Sequence, residues 1–254
     1  MNKTVRNIII RISMLVGIVV FVCLMVMAKW NTQHRAVQKI KISIDDKVGN
    51  FFVNKAEVVQ LINEKFTIKG KVLSGRDLEK IEKTVAIIPQ VQYANAYTDD
   101  KGELNIKVIQ RIPLFRVYNL QGQSFYVDKH GVKFATTSNY AYKVPVVTGN
   151  IVEACDSTRA IQSDELKSVF RVANAIDKNE LWKAMIGQYN IIENAHIEMT
   201  PRFGNGTIIF GNDANIEQKL KRLDIFYFDV LRKVGWNYYK VINIMYKNQV
   251  VCLK

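Results

Sequence analysis

Side chains able to carry chemistry are few in this chain, and they are scattered. His34, His130 and His196 stand far apart, and none lies in the HExxH spacing that sets two imidazoles on one helical face around zinc. The three cysteines are Cys23, Cys155 and Cys252. No CxxC occurs, so the spacing of a zinc or redox motif is missing. Cys155 and Cys252 can form at most one bridge, which the sequence leaves open. There is no GxSxG, no GxxxxGK[ST] and no GxGxxG after a strand, so serine-hydrolase, P-loop and dinucleotide chemistry have no support. Asp99-Asp100-Lys101-Gly102 and Gly204-Asn205-Gly206 read as turns rather than as metal or phosphate cradles. Asp224 and Asp229 are five positions apart on a predicted helix and do not share a face. The expectation is a non-enzymatic chain with no catalytic residue, no cofactor and no metal.

What remains is the chemistry of recognition. The C-terminal run from Trp236 to Cys252 is rich in β-branched and aromatic residues, broken by Lys247-Asn248. It reads as strand, turn and short strand. A terminal strand leaves one row of main-chain N–H and C=O groups that a partner strand can pair. The candidate edge is Val241, Ile242, Asn243, Ile244, Met245 and Tyr246, with Val250 and Val251. Trp236, Tyr239 and Tyr246 are candidate aromatic anchors.

Composition sets the frame for that edge. The chain has 254 residues, 48% of them hydrophobic, enough for one or two modest cores. Its net charge of +13 points to an anionic partner. Residues 12–28, ISMLVGIVVFVCLMVMA, carry no charge and are about long enough for a transmembrane helix. Lys3, Arg6 and Arg11 precede this run and Lys29, Arg35, Lys39 and Lys41 follow it, so charge alone barely sets the orientation. A short tail stays inside easily while a long domain translocates. Residues 1–11 are therefore read as a cytoplasmic tail, with the bulk outside and nucleic acid not expected as a partner. The competing reading is a cleaved signal with Val26-Met27-Ala28 as its site, releasing a secreted or membrane-anchored enzyme or binding domain.

Next come the elements that must position these residues. Alternation in VQKIKISID predicts a strand. Asn54 caps a helix over Lys55 to Phe66, and Ser74 with Asp77 forms a capping box for a second helix that Pro89 ends. VQYANAY and LNIKVIQ alternate on either side of the TDDKGE turn. Strand, helix, helix, strand, strand is one small α+β module. This order directly after an anchor resembles a POTRA domain, placed at 37–112. Its closing Ile109-Gln110-Arg111-Ile112-Pro113 is similar to the last strand of such domains, with Gln110 where Glu is more usual.

Beyond Pro113 the chain reads as a mixed β domain with flanking helices, over 113–254. Val127-Asp128-Lys129-His130-Gly131-Val132-Lys133-Phe134 and Val144-Pro145-Val146-Val147-Thr148-Gly149 follow in order. Both resemble phrases of the cell-division family FtsQ/DivIB. Arg111, Pro113, Asp128, Gly131, Phe134, Pro145 and Gly149 are the motif positions. Ser163 caps a helix with Leu166, Val169, Phe170, Ala173 and Ile176 on its apolar face. Strands are expected at 189–199 and 206–211, and a long amphipathic helix over Ile216 to Val234 with Lys219, Lys221 and Arg222 on its solvated side. The ending also resembles the family's, with Asn243 where Asp is common and Met245 where Arg is common.

The resemblance implies a divisome scaffold of the inner membrane at the septum. It would link early and late division proteins and help recruit or regulate septal wall synthesis. Its implied partners are FtsB-like and FtsL-like coiled-coil membrane proteins, and other divisome proteins.

Overall fold

The computed structural model describes residues 3–33, 36–45, 52–137, 140–156, 158–193 and 196–254, and within the first helix the side chains of Ile12 to Met27. His34 and Arg35 lie outside the described residues. Two compact units divide at Gln110 and Arg111.

In the first unit, helix α1 covers Lys3–Gln33. All its described side chains, Ile12 to Met27, are exposed and all but Gly17, Ser13 and Cys23 are large and apolar or alanine-free hydrophobics. Among the described residues no helix is long and apolar enough to cross a membrane. The membrane span expected at 12–28 is therefore not shown by the structure.

Strand β1 (Lys39–Asp45), helices α2 (Lys55–Lys65) and α3 (Gly75–Val85), and strands β2 (Val91–Thr98) and β3 (Glu103–Gln110) follow in the predicted order. Local chemistry explains the boundaries. Asn54 Oδ1 accepts the Ala56 N–H at the start of α2, and the Ser74–Asp77 capping box is complete in both directions. The sheet runs β1-β3-β2, with β1 parallel and β2 antiparallel to the central strand. Its apolar row, Ile44, Leu104, Ile106, Val108, Ala94 and Ala96, is buried with Val58 and Ile62 of α2 and Ile81 and Val85 of α3. Gln110 is buried too, and its Oε1 accepts the N–H groups of Phe52 (2.8 Å) and Val53 (3.0 Å). A neutral amide thus does a structural task at the position where Glu is more usual.

The second unit contains β4 (Pro113–Tyr118), β5 (Ser124–Asp128), β6 (Lys133–Ala135), β7 (Val146–Gly149), α4 (Asp164–Asp177), α5 (Glu180–Met185), β8 (Ile186–Ile191), β9 (Ile197–Pro201) and β10 (Thr207–Gly211). It closes with α6 (Ile216–Ile225), a π-helical turn (Phe226–Leu231), α7 (Arg232–Val234), β11 (Val241–Asn243) and β12 (Val251–Leu253). Nine strands form one mixed sheet in the order β12-β11-β10-β9-β8-β7-β4-β5-β6. Parallel neighbours need a crossover. The α4–α5 pair supplies it between β7 and β8, and the α6 segment between β10 and β11. One sheet face packs under the helices around Phe115, Phe125, Val147, Tyr189, Met199, Phe210 and Trp182. The other carries a polar ladder of Gln188, Thr148, Asn190 and Glu198.

Three sequence expectations change here. The strand expected at 189–199 is two antiparallel strands, β8 and β9, closed by Ile192 N–H donating to the His196 carbonyl at 2.9 Å. The helix expected over 216–234 is α-helical only to Ile225 and then widens into the π turn. Adjacent Phe226 and Tyr227 are both buried there. Phe226 meets the Tyr239 ring there, and Tyr227 the rings of Trp182 and Trp236. Lys219, expected on the solvated side, is 3% exposed. Its Nζ donates to the Asn212 carbonyl (2.7 Å) and Oδ1 (3.1 Å) and lies over the Phe210 ring.

Candidate partner-binding edge

The C-terminal strands are built on the core they extend. Ile242 is 2% exposed and lies in register between Ile208 on β10 and Cys252 on β12, so the row Ile208–Ile242–Cys252 continues the apolar face of the sheet to its margin. Val241 and Asn243 alternate to the other face, opposite Leu253 and Val251. Asn248 takes positive φ (58°), the left-handed turn conformation that asparagine tolerates, and returns the chain so that β12 runs antiparallel to β11.

This placement corrects the predicted edge. β11 is paired on both sides, parallel to β10 and antiparallel to β12, so Val241, Ile242 and Asn243 offer no free row. Ile244 is fully buried and its N–H donates to the Ile209 carbonyl at 3.0 Å. Met245 is half-buried against Gly211, with its own N–H on Asn243 Oδ1. The outermost strand is β12, which includes Val251 from the candidate set and adds Cys252 and Leu253. Sequence reading missed these last two because three residues after a turn carry no measurable periodicity. The signal available was the short apolar run Val250 to Leu253 itself.

The two margins of the nine-stranded sheet differ. β6 is covered, since Val132 bridges Ala160, Lys133 N–H donates to the Arg159 carbonyl (2.7 Å) and Ile161 N–H to the Gly131 carbonyl. Among the described residues β12 pairs with β11 only. Val251 (42% exposed) and Leu253 (60%) present apolar surface on one face of it, and half-buried Val250 and Cys252 pack on the core.

Aromatic side chains collect beside this margin. Trp236, Tyr238 and Tyr246 are exposed, while half-buried Tyr239 packs on Phe226 and meets Tyr238 edge-on at 4.8 Å. Lys254 lies over the Tyr238 ring at 4.6 Å, and its hydrogen bond to that phenol holds the ammonium above its ordinary value. Burial raises the Cys252 and Cys155 thiols above their ordinary value. Among the described residues no cluster of three or more His, Cys, Asp or Glu is placed to hold a metal ion.

The motif positions lie away from this margin and serve the fold. Asp128 is buried. Its Oδ1 accepts the N–H groups of His130 (2.8 Å) and Val132 (2.9 Å), and its Oδ2 pairs with Arg111 at 2.7 Å. Gly131 holds the positive φ of that turn under Phe170, and Phe134 is buried on Tyr126. Pro113 opens β4, and the Pro145 carbonyl accepts Arg116 N–H. Gly149 has φ 102°, and a Cβ there would stand 2.0 Å from the Ile191 carbonyl oxygen.

The family model described as FtsQ/DivIB, C-terminal related, matches residues 112–253, more than half of the chain. The chain belongs to the FtsQ/DivIB family. A POTRA-like domain model matches residues 35–109, over β1 to β3. No curated protein matches the chain. The FtsQ/DivIB assignment makes this a cell-division protein from a family of non-enzymatic, division-site membrane scaffolds, whose partners are proteins of the divisome.

Proposed function

We propose that this FtsQ/DivIB protein is a divisome scaffold that binds FtsB-like and FtsL-like coiled-coil membrane proteins by strand addition to β12, and so helps recruit or regulate septal wall synthesis. One observation carries the reading: the nine-stranded sheet covers its β6 margin and leaves β12 paired on one side. An added strand would complete the ladder and bury Val251 and Leu253 beside Trp236 and Tyr246. In this proposal α1 anchors the chain in the inner membrane as a single pass, with the N-terminus cytoplasmic, and the POTRA-like module (37–112) and β domain (113–254) outside. The uncharged run Ile12 to Ala28 supports the anchor.

Photo-crosslinking in cells tests the edge. A photoreactive residue at Leu253 is expected to give an adduct with the FtsB-like partner. The same residue at Ala135, on the covered β6 margin, is expected to give none. Adducts at Ala135 but not Leu253 would move the interface off β12.

A further inference from the structure

We infer that the loop between α2 and α3 is a second membrane contact, one that takes anionic phospholipid headgroups. The inference rests on the anchor reading above. The loop is basic. From Lys65 to Arg76 the sequence KFTIKGKVLSGR carries Lys65, Lys69, Lys71 and Arg76, and no Asp or Glu. All four cations are exposed. Val72 stands among them and is 48% exposed, an apolar side chain flanked by positive charge. A cleft of about 390 Å³ opens beside it, lined by Lys65, Lys71 and Val72, with Ile68 and Ile81 buried at its wall. The acid of this cleft is Asp77, whose Oδ2 already accepts the Ser74 N–H (3.0 Å) and hydroxyl (2.6 Å). Lysines around an exposed apolar group suit the headgroup boundary, where the cations meet phosphates and the apolar group enters the edge of the hydrocarbon.

The chain also ties this loop to the anchor. Gly70 N–H donates to the Val37 carbonyl, and Val37 N–H donates to the Lys71 carbonyl, each at 2.8 Å. Val37 is four residues beyond Gln33, the last residue of α1. From Ala28, about 8 Å of helix and at most about 14 Å of extended chain lead to Val37. The loop is therefore held close to the bilayer surface when α1 is inserted. The turn from Asp99 to Gly102 lies at the same end, since Gln38 N–H donates to the Gly102 carbonyl. Asp99, Asp100 and Glu103 are in or beside that turn with Lys39 and Lys101 among them, so it is the loop that makes this end positive. Asp99 also accepts the N–H groups of Lys101 and Glu103. A bilayer is the anionic surface that the tether brings within reach, which favours lipid over an acidic protein as the occupant.

The test places the full chain in nanodiscs of pure phosphatidylcholine, or of equal parts phosphatidylcholine and phosphatidylglycerol. Lysine acetylation by a water-soluble ester is then followed by mass spectrometry. An anionic surface at about −30 mV lowers the free-amine fraction of a nearby lysine about threefold. Lys65, Lys69 and Lys71 are therefore expected to react about threefold more slowly in the anionic discs. Lys55, at the far end of α2 and about 15 Å from Lys65 along the helix, is expected to react equally in both, being beyond a Debye length of about 8 Å. The difference is expected to vanish in about 1 M salt. Lys69→Gln/Lys71→Gln, at two exposed positions, is expected to keep its circular dichroism and to lose the protection of Lys65. If the chain inserts, yet the loop lysines react alike in both discs or Lys55 slows as much as they do, the loop contact falls and the anchor stands. If the chain does not enter discs of either kind, the anchor reading fails and takes this inference with it.

Discussion

The residues most constrained in the β domain are those whose backbone or charge admits one solution. Gly149 is the sharpest case. Its φ of 102° already disfavours any side chain, and the Ile191 carbonyl occupies the place a Cβ needs. Gly149→Ala forces β7 and β8 apart where they pair, and is expected to cost about 3 kcal/mol or more, read as a fall in the denaturant midpoint. Glu153 gives the pH counterpart. Burial pushes its carboxyl up, but the Lys133 ammonium at 2.8 Å and the N–H groups of Ser163 and Gln162 outweigh burial and hold it below its ordinary 4.5. A carboxyl lowered on folding contributes stability above its unfolded value and loses it as pH falls through the folded one. Glu153 therefore stabilises fully above about pH 4.5 and progressively less in more acid solution. Glu153→Gln is expected to be less stable than wild type at neutral pH. The gap should narrow below pH 4.5, measured as urea midpoints against pH. An unchanged gap down to pH 2 would remove Glu153 from the acid response.

At the level of elements, the two sheets guard their margins by different means. In the three-stranded sheet β2 is an edge, and Glu82 from α3 accepts the Ala96 N–H at 2.8 Å, taking up a main-chain donor that a foreign strand would need. On β1, the other edge, Lys39 and Lys41 are exposed, and edge lysines discourage pairing. Glu82→Ala frees the Ala96 donor. It is expected to raise self-association of the full chain in detergent, read by sedimentation, with Lys83→Ala beside it as the neutral comparison. Much of this architecture was legible beforehand. Caps at Asn54, Ser74 and Ser163, and alternation in β1 to β3, are local signals that local hydrogen bonds satisfy. What escaped is set by tertiary contact. The π turn leaves no signature in the apolar spacing, and Lys219 is buried where Asn212 offers its ammonium two oxygens. The short last strand was read, but its place outside β11 escaped, because sheet order and a parallel return of β11 onto β10 are invisible in a linear pattern.

For the molecule as a whole, the proposal makes the first helix an anchor and everything after it cargo for the far side of the membrane. Nothing in the charge distribution settles this by itself, since Lys3, Arg6 and Arg11 before the run are matched by Lys29, Arg35, Lys39 and Lys41 after it. In this proposal the orientation rests on the short tail before the run, and the anchor on the cost of exposing Ile12 to Met27 to water, where Leu15, Phe21, Leu24 and Met27 are each more than half exposed. Moving such a run into hydrocarbon returns about 25 cal/mol per Å² of apolar surface. One arginine at its centre costs about 2.5–3.5 kcal/mol by insertion scales. The full chain is expected to stay in the membrane pellet after alkaline carbonate extraction. Val20→Arg is expected to shift a large fraction to the supernatant, and Val20→Leu none. In spheroplasts, added protease is expected to remove a C-terminal epitope and leave an N-terminal one protected. Loss of the N-terminal epitope with retention of the C-terminal one would reverse the orientation and put β12 in the cytoplasm. A mature N-terminus at Lys29 would instead make the apolar run a signal and release the domains from the membrane.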